Sequence, residues 1–451
     1  MARRHTHTPL AVLMNNRRVG TLQRAPDGAV SFSYAPEWLV WAHAMPISLS
    51  LPLTDETQRG GQVLAMFDNL LPDHDGIRRR LAARVGADGT DTYSLLARIG
   101  RDCVGALQLL PEEALDDDSM TAETGLSGRE LSEVEIAAML SALGALPLGM
   151  DRDRDFRISV AGAQEKTALT RLDGPDGPQW LEPHGTTPTT HILKPAIGQL
   201  PNGMDLSDSV ANEYFCLRLL AEAGLPVAHA EMARFGEVDT LVVERFDRQW
   251  LEDGRLIRLP QEDCCQALGI PPALKYQSDG GPGIVEIMRL LQASDDPVTD
   301  RERFFTAQII FWLIGATDGH GKNFSLKLYP GGGFRLAPLY DVMTVEPSLQ
   351  AGQLQKKDMK LAMSFGRNRH YRVQEITGRH VVQTGRDSDL SLPAIRAIAE
   401  QIADTLPDAL TRTREIMQTN GPTAVPDHIG DSLTKALRTR LDALMTGFAQ
   451  P

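Results

Sequence analysis

Apolar residues along this chain fall into short alternating stretches at the amino-terminal end and into longer, denser ones further on. Leu10 to Met14 and Val19 to Leu22 flank Asn15-Asn16, a turn-forming pair, and Val30 to Tyr34 alternates apolar with small polar residues. The first hundred residues therefore read as a β-rich unit, most simply a meander. Val63 to Leu71 and Gly76 to Val85 have helical spacing, broken at Pro72-Asp73. Between 112 and 130, Glu112, Glu113, Asp116, Asp117, Asp118 and Glu123 cluster with Ser, Thr and Gly, which predicts an exposed acidic linker. A helix follows with a well-marked start: Ser132 and Glu135 form a capping-box pattern, Leu131 and Ile136 are placed to staple it, and Gly144 and Pro147 end it. Beyond it short strands and helices alternate to about residue 260. The pattern is then mostly helical apart from one strand pair near 324 to 339, and no repeat of solenoid period is evident.

Composition narrows the class. Of 451 residues, 42% are hydrophobic and 23% charged, which excludes global disorder and fibrous architectures. Lys plus Arg number 46 against 59 Asp plus Glu, a formal charge of −13, so the surface as a whole repels phosphate backbones and any nucleic-acid contact has to be local or borrowed from a partner. Cys103, Cys216, Cys264 and Cys265 fit neither a disulfide framework nor a zinc site. The basic start lacks an apolar stretch of signal-peptide length, and the longest apolar run, Ile309 to Ala316, is far too short for a membrane span, so a cytoplasmic protein is expected. Arg78 to Arg80 read as a solvated face or a packed domain contact.

Chemistry concentrates between Gln308 and Asp341. The segment Ile309 to Ile314 is apolar on every side, hence buried, and it runs into Gly315-Ala316-Thr317-Asp318-Gly319-His320-Gly321-Lys322-Asn323, a polar loop tethered to a core element. Phe324 to Tyr329 and Phe334 to Leu339, joined by Pro330 to Gly333, form a hairpin that returns the chain to Tyr340-Asp341. Phosphoryl transfer needs a carboxylate to take the proton of an attacking hydroxyl and oxygen ligands for magnesium. Asp318, Asn323 and Asp341 are of those types, and Asp318 and Asn323 have the Asp-x-x-x-x-Asn separation of the protein-kinase catalytic loop. Taken alone, Asp318-Gly319 reads as a turn and Asn323 as the start of a strand; the trio behind a buried helix argues for a site.

Upstream, Ser159 to Thr167 lies between two plausible strands, Phe156 to Ile158 and Ala168 to Thr170, and its small residues allow close backbone approach to an anion; with no Gly before Lys166, the P-loop pattern fails. His191 to Lys194 is a strand with a terminal lysine, and the helix Ser209 to Ala223 carries Glu213, the strand-lysine and helix-glutamate pairing by which kinases hold phosphates. Asp279 to Gly283 reads as an ordinary helix start. No metallohydrolase or serine-esterase motif is present.

Ser159 to Ala168, Val243 to Arg248, Leu259 to Asp263, Lys275 to Gly283 and Ile314 to Ser325 together closely resemble the HipA family of serine/threonine-protein kinase toxins from bacterial type II toxin-antitoxin modules, as do Phe67 to Asp73 and Gly105 to Gln108. The resemblance implies an α+β, two-lobed protein-kinase-like fold: a β-rich amino-terminal subdomain (1–112), the acidic linker (113–130), a nucleotide-binding part of the N-lobe (131–248) and a mostly helical carboxy-terminal lobe (249–451). It implies Asp318 as catalytic base, Asn323 and Asp341 as magnesium ligands and Lys194 as the phosphate lysine, supported by Glu213. Ala161, Gly162, Ala163, Gln164, Glu165 and Lys166 become the nucleotide loop, Glu244, Arg245 and Phe246 the hinge that meets adenine, and His320, Lys322 and Tyr340 neighbours of ATP. The chain departs from ordinary protein kinases in lacking G-x-G-x-x-G, in having His320 where they have lysine, and in reading Asp341-Val342-Met343 for D-F-G.

The family also implies a helix-turn-helix antitoxin dimer, HipB, that carries the pair onto operator DNA, a target such as glutamyl-tRNA synthetase, growth arrest or persistence, and an autophosphorylation site at Ser159 that switches the enzyme off. Rival readings are a catalytically idle co-repressor and a small-molecule kinase; the intact Asp318, Asn323, Asp341 and Lys194 favour activity. Lys356, Lys357, Lys360, Arg367, Arg369, Arg372 and Arg379 face only Asp358 and Glu375 within 356 to 379, a local basic exception that reads as a solvated face or a contact for an acidic or tRNA-bearing substrate.

Overall fold

The structure, a computed structural model, describes residues 7–115, 126–143, 164–175, 177–200, 203–419 and 427–448. At the amino-terminal end the strands Leu10–Met14, Arg17–Arg24 and Val30–Tyr34 form an antiparallel meander. Asn15 and Asn16 both take positive φ (47° and 64°), the two-residue turn whose twist matches its flanking strands. Gln58–Arg59 joins beyond Val30–Tyr34, and Leu107–Pro111 joins Leu10–Met14 on the other side. The helices Gly61–Asp68, Asp75–Val85 and Thr92–Ile99 lie between them in sequence, and their apolar faces bury Phe67, Leu95, Leu96 and Ile99 with Phe32 and Trp38.

A second sheet of six antiparallel strands runs in the order Ala230–Phe235, Val238–Glu244, His191–Pro195, Thr167–Gly174, Gly177–Pro183, Gly128–Leu131. The expected linker therefore ends earlier than its composition suggested: Gly128 to Glu130 are already an edge strand, because Arg129 finds Glu182 across the ladder. The capping box is formed, with Ser132 and Glu135 satisfying each other's backbone donors at the start of the helix Glu133–Ser141. Leu131, Ile136, Met139 and Leu140 pack with Leu169, Trp180, Leu193, Phe235 and Val242 on one face of the sheet. On the opposite face Leu241 and Val243 meet Val210 and Tyr214 of the helix Ser209–Glu222.

The rest is mostly helical, built around the helix Pro297–Ile314, whose last seven residues are all buried. Leu392–Thr419 and Asp427–Thr446 pack together, and the former also packs on Ser209–Glu222, tying the second sheet to the helical lobe. The expected hairpin is present as Ser325–Leu328 and Phe334–Leu336, but a third strand, Gln261–Asp263, completes it, and a further hairpin, Lys360–Phe365 with His370–Arg372, flanks the loop after the core helix through Ala362 N donating to Thr317 O (2.9 Å). Among the described residues no helix is long and apolar enough to cross a membrane.

Candidate active site

A cleft of about 850 Å³ opens between the six-stranded sheet and the helical lobe. Strand periodicity decides what faces it. In His191–Pro195, Leu193 points to the capping-box helix, whereas Ile192 and Lys194 point to the helix Ser209–Glu222. Lys194 Nζ donates to Glu213 Oε1 at 2.7 Å and to Asp341 Oδ1 at 3.1 Å. Burial works against the charge on Lys194, but Asp341 and Glu213 outweigh it and raise its pKa. Burial likewise opposes the charge on Asp341, yet Lys194 and Lys166 hold it well below the usual carboxylate range. Burial raises Glu213, only partly offset by Lys194, and lowers Lys166 to about 8. Asp341 also sits at φ 59°, a left-handed conformation costly for a non-glycine residue and typical of functional loops.

The core helix delivers the other half. It stops at Gly315 (φ 69°), in the left-handed region that favours glycine, and this turn throws the following loop into the cleft. In that loop Asn323 Nδ2 donates to the carbonyls of Asp318 (2.9 Å) and Asp341 (3.3 Å), which ties the two acidic segments together. Asp318 stands exposed at the cleft mouth. Protein packed behind it raises its pKa and Asp341 adds to this, while a hydrogen bond from Tyr276 and the charge of Lys275 act against the rise. His320 is buried, its pKa pushed down to about 3 by burial and Lys275, and its Nδ1 has no hydrogen-bond partner among the described residues. Tyr340 donates to Lys322 O at 2.7 Å, pairs with Ser325 Oγ at 2.6 Å, and stacks a tilted ring on Phe246 at 5.8 Å.

The sequence-predicted residues Gln164, Glu165, Lys166, Lys194, Glu244, Phe246, His320, Asn323, Tyr340 and Asp341 all line this one cleft with Asp318. Ser159, Ala161, Gly162, Ala163 and the strand expected at Phe156 to Ile158 lie outside the described residues. Arg245 and Lys322 line the cleft as well. The Arg245 guanidinium is buried, bound to Asp247, Asp102, Thr189 and the Cys103 carbonyl. Lys322 has its ammonium on Asp73 Oδ1 (2.6 Å) and Asn69 O (3.2 Å), so it anchors the catalytic loop to the amino-terminal subdomain. The arginine run is partly a domain contact, since Arg80 pairs with Glu165, whereas Arg78 pairs with Asp68 inside its own subdomain.

Three further residues escaped the sequence reading. Asp73 accepts from Lys275 (2.9 Å) as well as from Lys322, Tyr276 donates to Asp318, and Asp263, its pKa raised to about 6 by burial, caps the short helix beside the loop. The motifs Phe67 to Asp73 and Lys275 to Gly283 pointed to these positions but not to their pairing, because the partners are about two hundred residues apart in the first case.

A strand lysine held by a helix glutamate, with a catalytic-loop Asp and Asn and a second Asp across a cleft between two lobes, defines a kinase-like scaffold. Family models agree on which one: residues 10–110 match the HipA N-terminal domain and residues 158–410 the HipA-like C-terminal domain. The chain belongs to the HipA family. It is 35% identical over 413 residues to a Sinorhizobium fredii protein named "Putative kinase Y4mE", covering 90% of this chain and 92% of that one. It is 29% identical over 325 residues to the serine/threonine-protein kinase toxin HipA of Shewanella oneidensis, covering 69% of each. The solved structure of Shewanella oneidensis HipA with HipB and operator DNA has the same fold, with a TM-score of 0.79 at 23% identity over 98% of this chain and 100% of that one.

Proposed function

We propose that this chain is an ATP- and magnesium-dependent serine/threonine protein kinase that serves as the toxin of a HipA/HipB-type module in the cytoplasm. The observation that carries the reading is the convergence of Asp318, Asn323, Asp341 and the Lys194–Glu213 pair on one cleft. The residues fit the groups the reaction requires. Magnesium is usually held by one or two protein oxygens plus substrate phosphates. Asn323 Oδ1 and the ionised Asp341 are those oxygens, Lys166 and Lys194 face the phosphates, and Phe246 and Tyr340 offer the base an aromatic wall. Bound magnesium neutralises charge that develops on the transferred phosphoryl group. Asp318 takes the proton of the acceptor hydroxyl, a task its raised pKa and its open position at the cleft mouth support.

Partners follow from relatives and charge. The Shewanella oneidensis neighbour is a complex with HipB and operator DNA, and a chain of charge −13 gains from an antitoxin dimer that does the DNA reading. The target we propose is a translation component, with glutamyl-tRNA synthetase the first candidate, and phosphorylation of Ser159 as the off-switch. Phosphoproteomics after expression of wild type and Asp318→Asn tests the reading: phosphosites on a host protein, and on Ser159, that appear only with wild type support it, and identical phosphoproteomes overturn it.

A further inference from the structure

Asp318 has company at the cleft mouth. The Tyr276 hydroxyl donates to its Oδ1 at 2.6 Å, the length of a charge-assisted O–H···O⁻ bond. This is the contact that an acceptor alcohol must make with a general base before phosphoryl transfer. The phenol does not reach it by chance. Asp279 N (3.0 Å) and Gly281 N (2.9 Å) donate to the Tyr276 carbonyl, and Gly321 N in the catalytic loop donates to the Lys275 carbonyl at 3.2 Å. One residue further on, Gln277 Oε1 accepts from Ser364 N and Oγ, both at 2.8 Å. The Tyr276 ring stands edge-on to His320, with centroids 5.0 Å apart and planes at 88°. Every flanking position is therefore fixed, and the hydroxyl is aimed.

Resting on the kinase reading above, we propose that the corner bounded by Tyr276, His320 and Asp318 is the subsite for the acceptor hydroxyl, and that Tyr276 holds it until an acceptor displaces the phenol. While the phenol is in place it competes with water for Asp318 Oδ1, the oxygen it donates to. When an alcohol replaces it, the alcohol proton passes to Asp318, the alcohol oxygen forms a bond to the terminal phosphorus of a nucleoside triphosphate, and the bond from that phosphorus to the bridging oxygen breaks to release the diphosphate. Water admitted to the same corner reacts in the same way and yields inorganic phosphate. Tyr276 thus acts as a guard against hydrolysis that yields to a hydroxyl presented on a bound substrate.

Tyr276→Phe keeps the ring against His320 and removes only the hydroxyl. With full-length chain, magnesium and ATP and no added acceptor, phosphate release should rise on the order of ten-fold, the factor expected when one hydrogen bond no longer competes. The KM for ATP should stay at the wild-type value, and the gain should vanish in Tyr276→Phe/Asp318→Asn. Tyr276→Leu, which lacks the hydroxyl in a different packing, should show the same rise and decides the matter if the phenylalanine variant does not fold. Unchanged or slower hydrolysis, or a gain that survives loss of Asp318, overturns the assignment while wild-type turnover still stands for the kinase. A wild type that neither hydrolyses ATP nor transfers its phosphate overturns both.

Discussion

Two buried clusters of charge in this chain do opposite things. In the first, Asp102 Oδ1 accepts from Arg248 (2.9 Å) and Arg258 (2.8 Å), its Oδ2 accepts from Thr189 N (3.1 Å), Thr189 Oγ1 (2.6 Å) and Arg245 (3.3 Å), and Arg245 also grips Asp247 with two nitrogens at 3.0 and 2.8 Å. Both carboxylates are held below their usual range despite burial, by the guanidinium groups around them. Every strong acceptor direction is used, and the cluster joins the amino-terminal subdomain to the chain that leaves the second sheet. In the second cluster, Lys166, Lys194, Glu213 and Asp341 pull one another's pKa values in different directions, and Asp341 keeps 29% of its side chain exposed to the cleft on a left-handed backbone. Burial and ion pairing alone do not mark a functional site. What marks it is charge left facing a cavity with coordination capacity unused.

The contrast can be broken in both directions. Asp318→Asn should keep the wild-type melting temperature and lose roughly 10² to 10⁴ in phosphotransfer rate, because the amide keeps shape but cannot take the proton; a labelled-phosphate assay beside a thermal melt measures both. Asp102→Asn should do the reverse. It leaves three buried guanidinium groups around a neutral amide, and breaking a buried network of this kind costs about 3 to 5 kcal/mol, read from urea denaturation. If Asp102→Asn kept its stability, the first cluster would not be structural and the comparison would fail.

A smaller effect separates structure from function within the second cluster. Replacing both members of a buried pair by apolar residues is often neutral or mildly stabilising, whereas leaving one member behind is costly. Lys194→Met/Glu213→Leu should therefore lose less stability than Lys194→Met alone, because the single change leaves both Glu213 and Asp341 without their lysine and the double change leaves only Asp341. It should also no longer bind nucleotide, since the phosphate cation is gone. Isothermal calorimetry with ATP and magnesium next to a denaturation curve tests this; retained nucleotide affinity would move the phosphate contact to Lys166 alone.

How much of this the sequence disclosed follows from the range of each interaction. The Asn15-Asn16 hairpin, the Ser132–Glu135 box and the buried Ile309 to Ile314 are local, and their signals lie within a few residues. The pairing of Lys194 with Glu213 was legible only through the kinase pattern of a strand lysine and a helix glutamate, since the helix also buries Ser209 and Asn212. The buried ion-pair network of the Arg245 guanidinium was not legible, since its partners Asp102 and Thr189 lie 143 and 56 positions away. The strand Gln261–Asp263 is too short to show periodicity and exists because Ser325–Leu328 offers it a partner. Asp73 and Lys322 are 249 positions apart, and no pattern along a chain reports such a contact.

The same short strand carries the last prediction. Glu262 is fully buried; its Oε1 accepts from Leu49 N at 2.9 Å in the amino-terminal subdomain, and its Oε2 has no hydrogen-bond partner among the described residues. Burial pushes its pKa up to about 8, only partly offset by Ser48 and Leu49, with Asp263 adding to the rise. The folded state therefore holds this proton more tightly than the unfolded chain, whose glutamate titrates near its ordinary value of about 4.3. The contribution to stability is complete below that value and is lost as the pH rises through about 8. One such group gives a slope of at most about 1.4 kcal/mol per pH unit, over a window in which most proteins are near their most stable. Glu262→Gln keeps the acceptor for Leu49 N and carries no proton to lose, so its melting temperature should exceed that of wild type by a margin that grows from pH 5 to pH 8. Parallel melting curves across that range would instead mean that Glu262 stays ionised in the fold, held by a partner at Oε2, and that the contact between the strand and the amino-terminal subdomain does not depend on its proton.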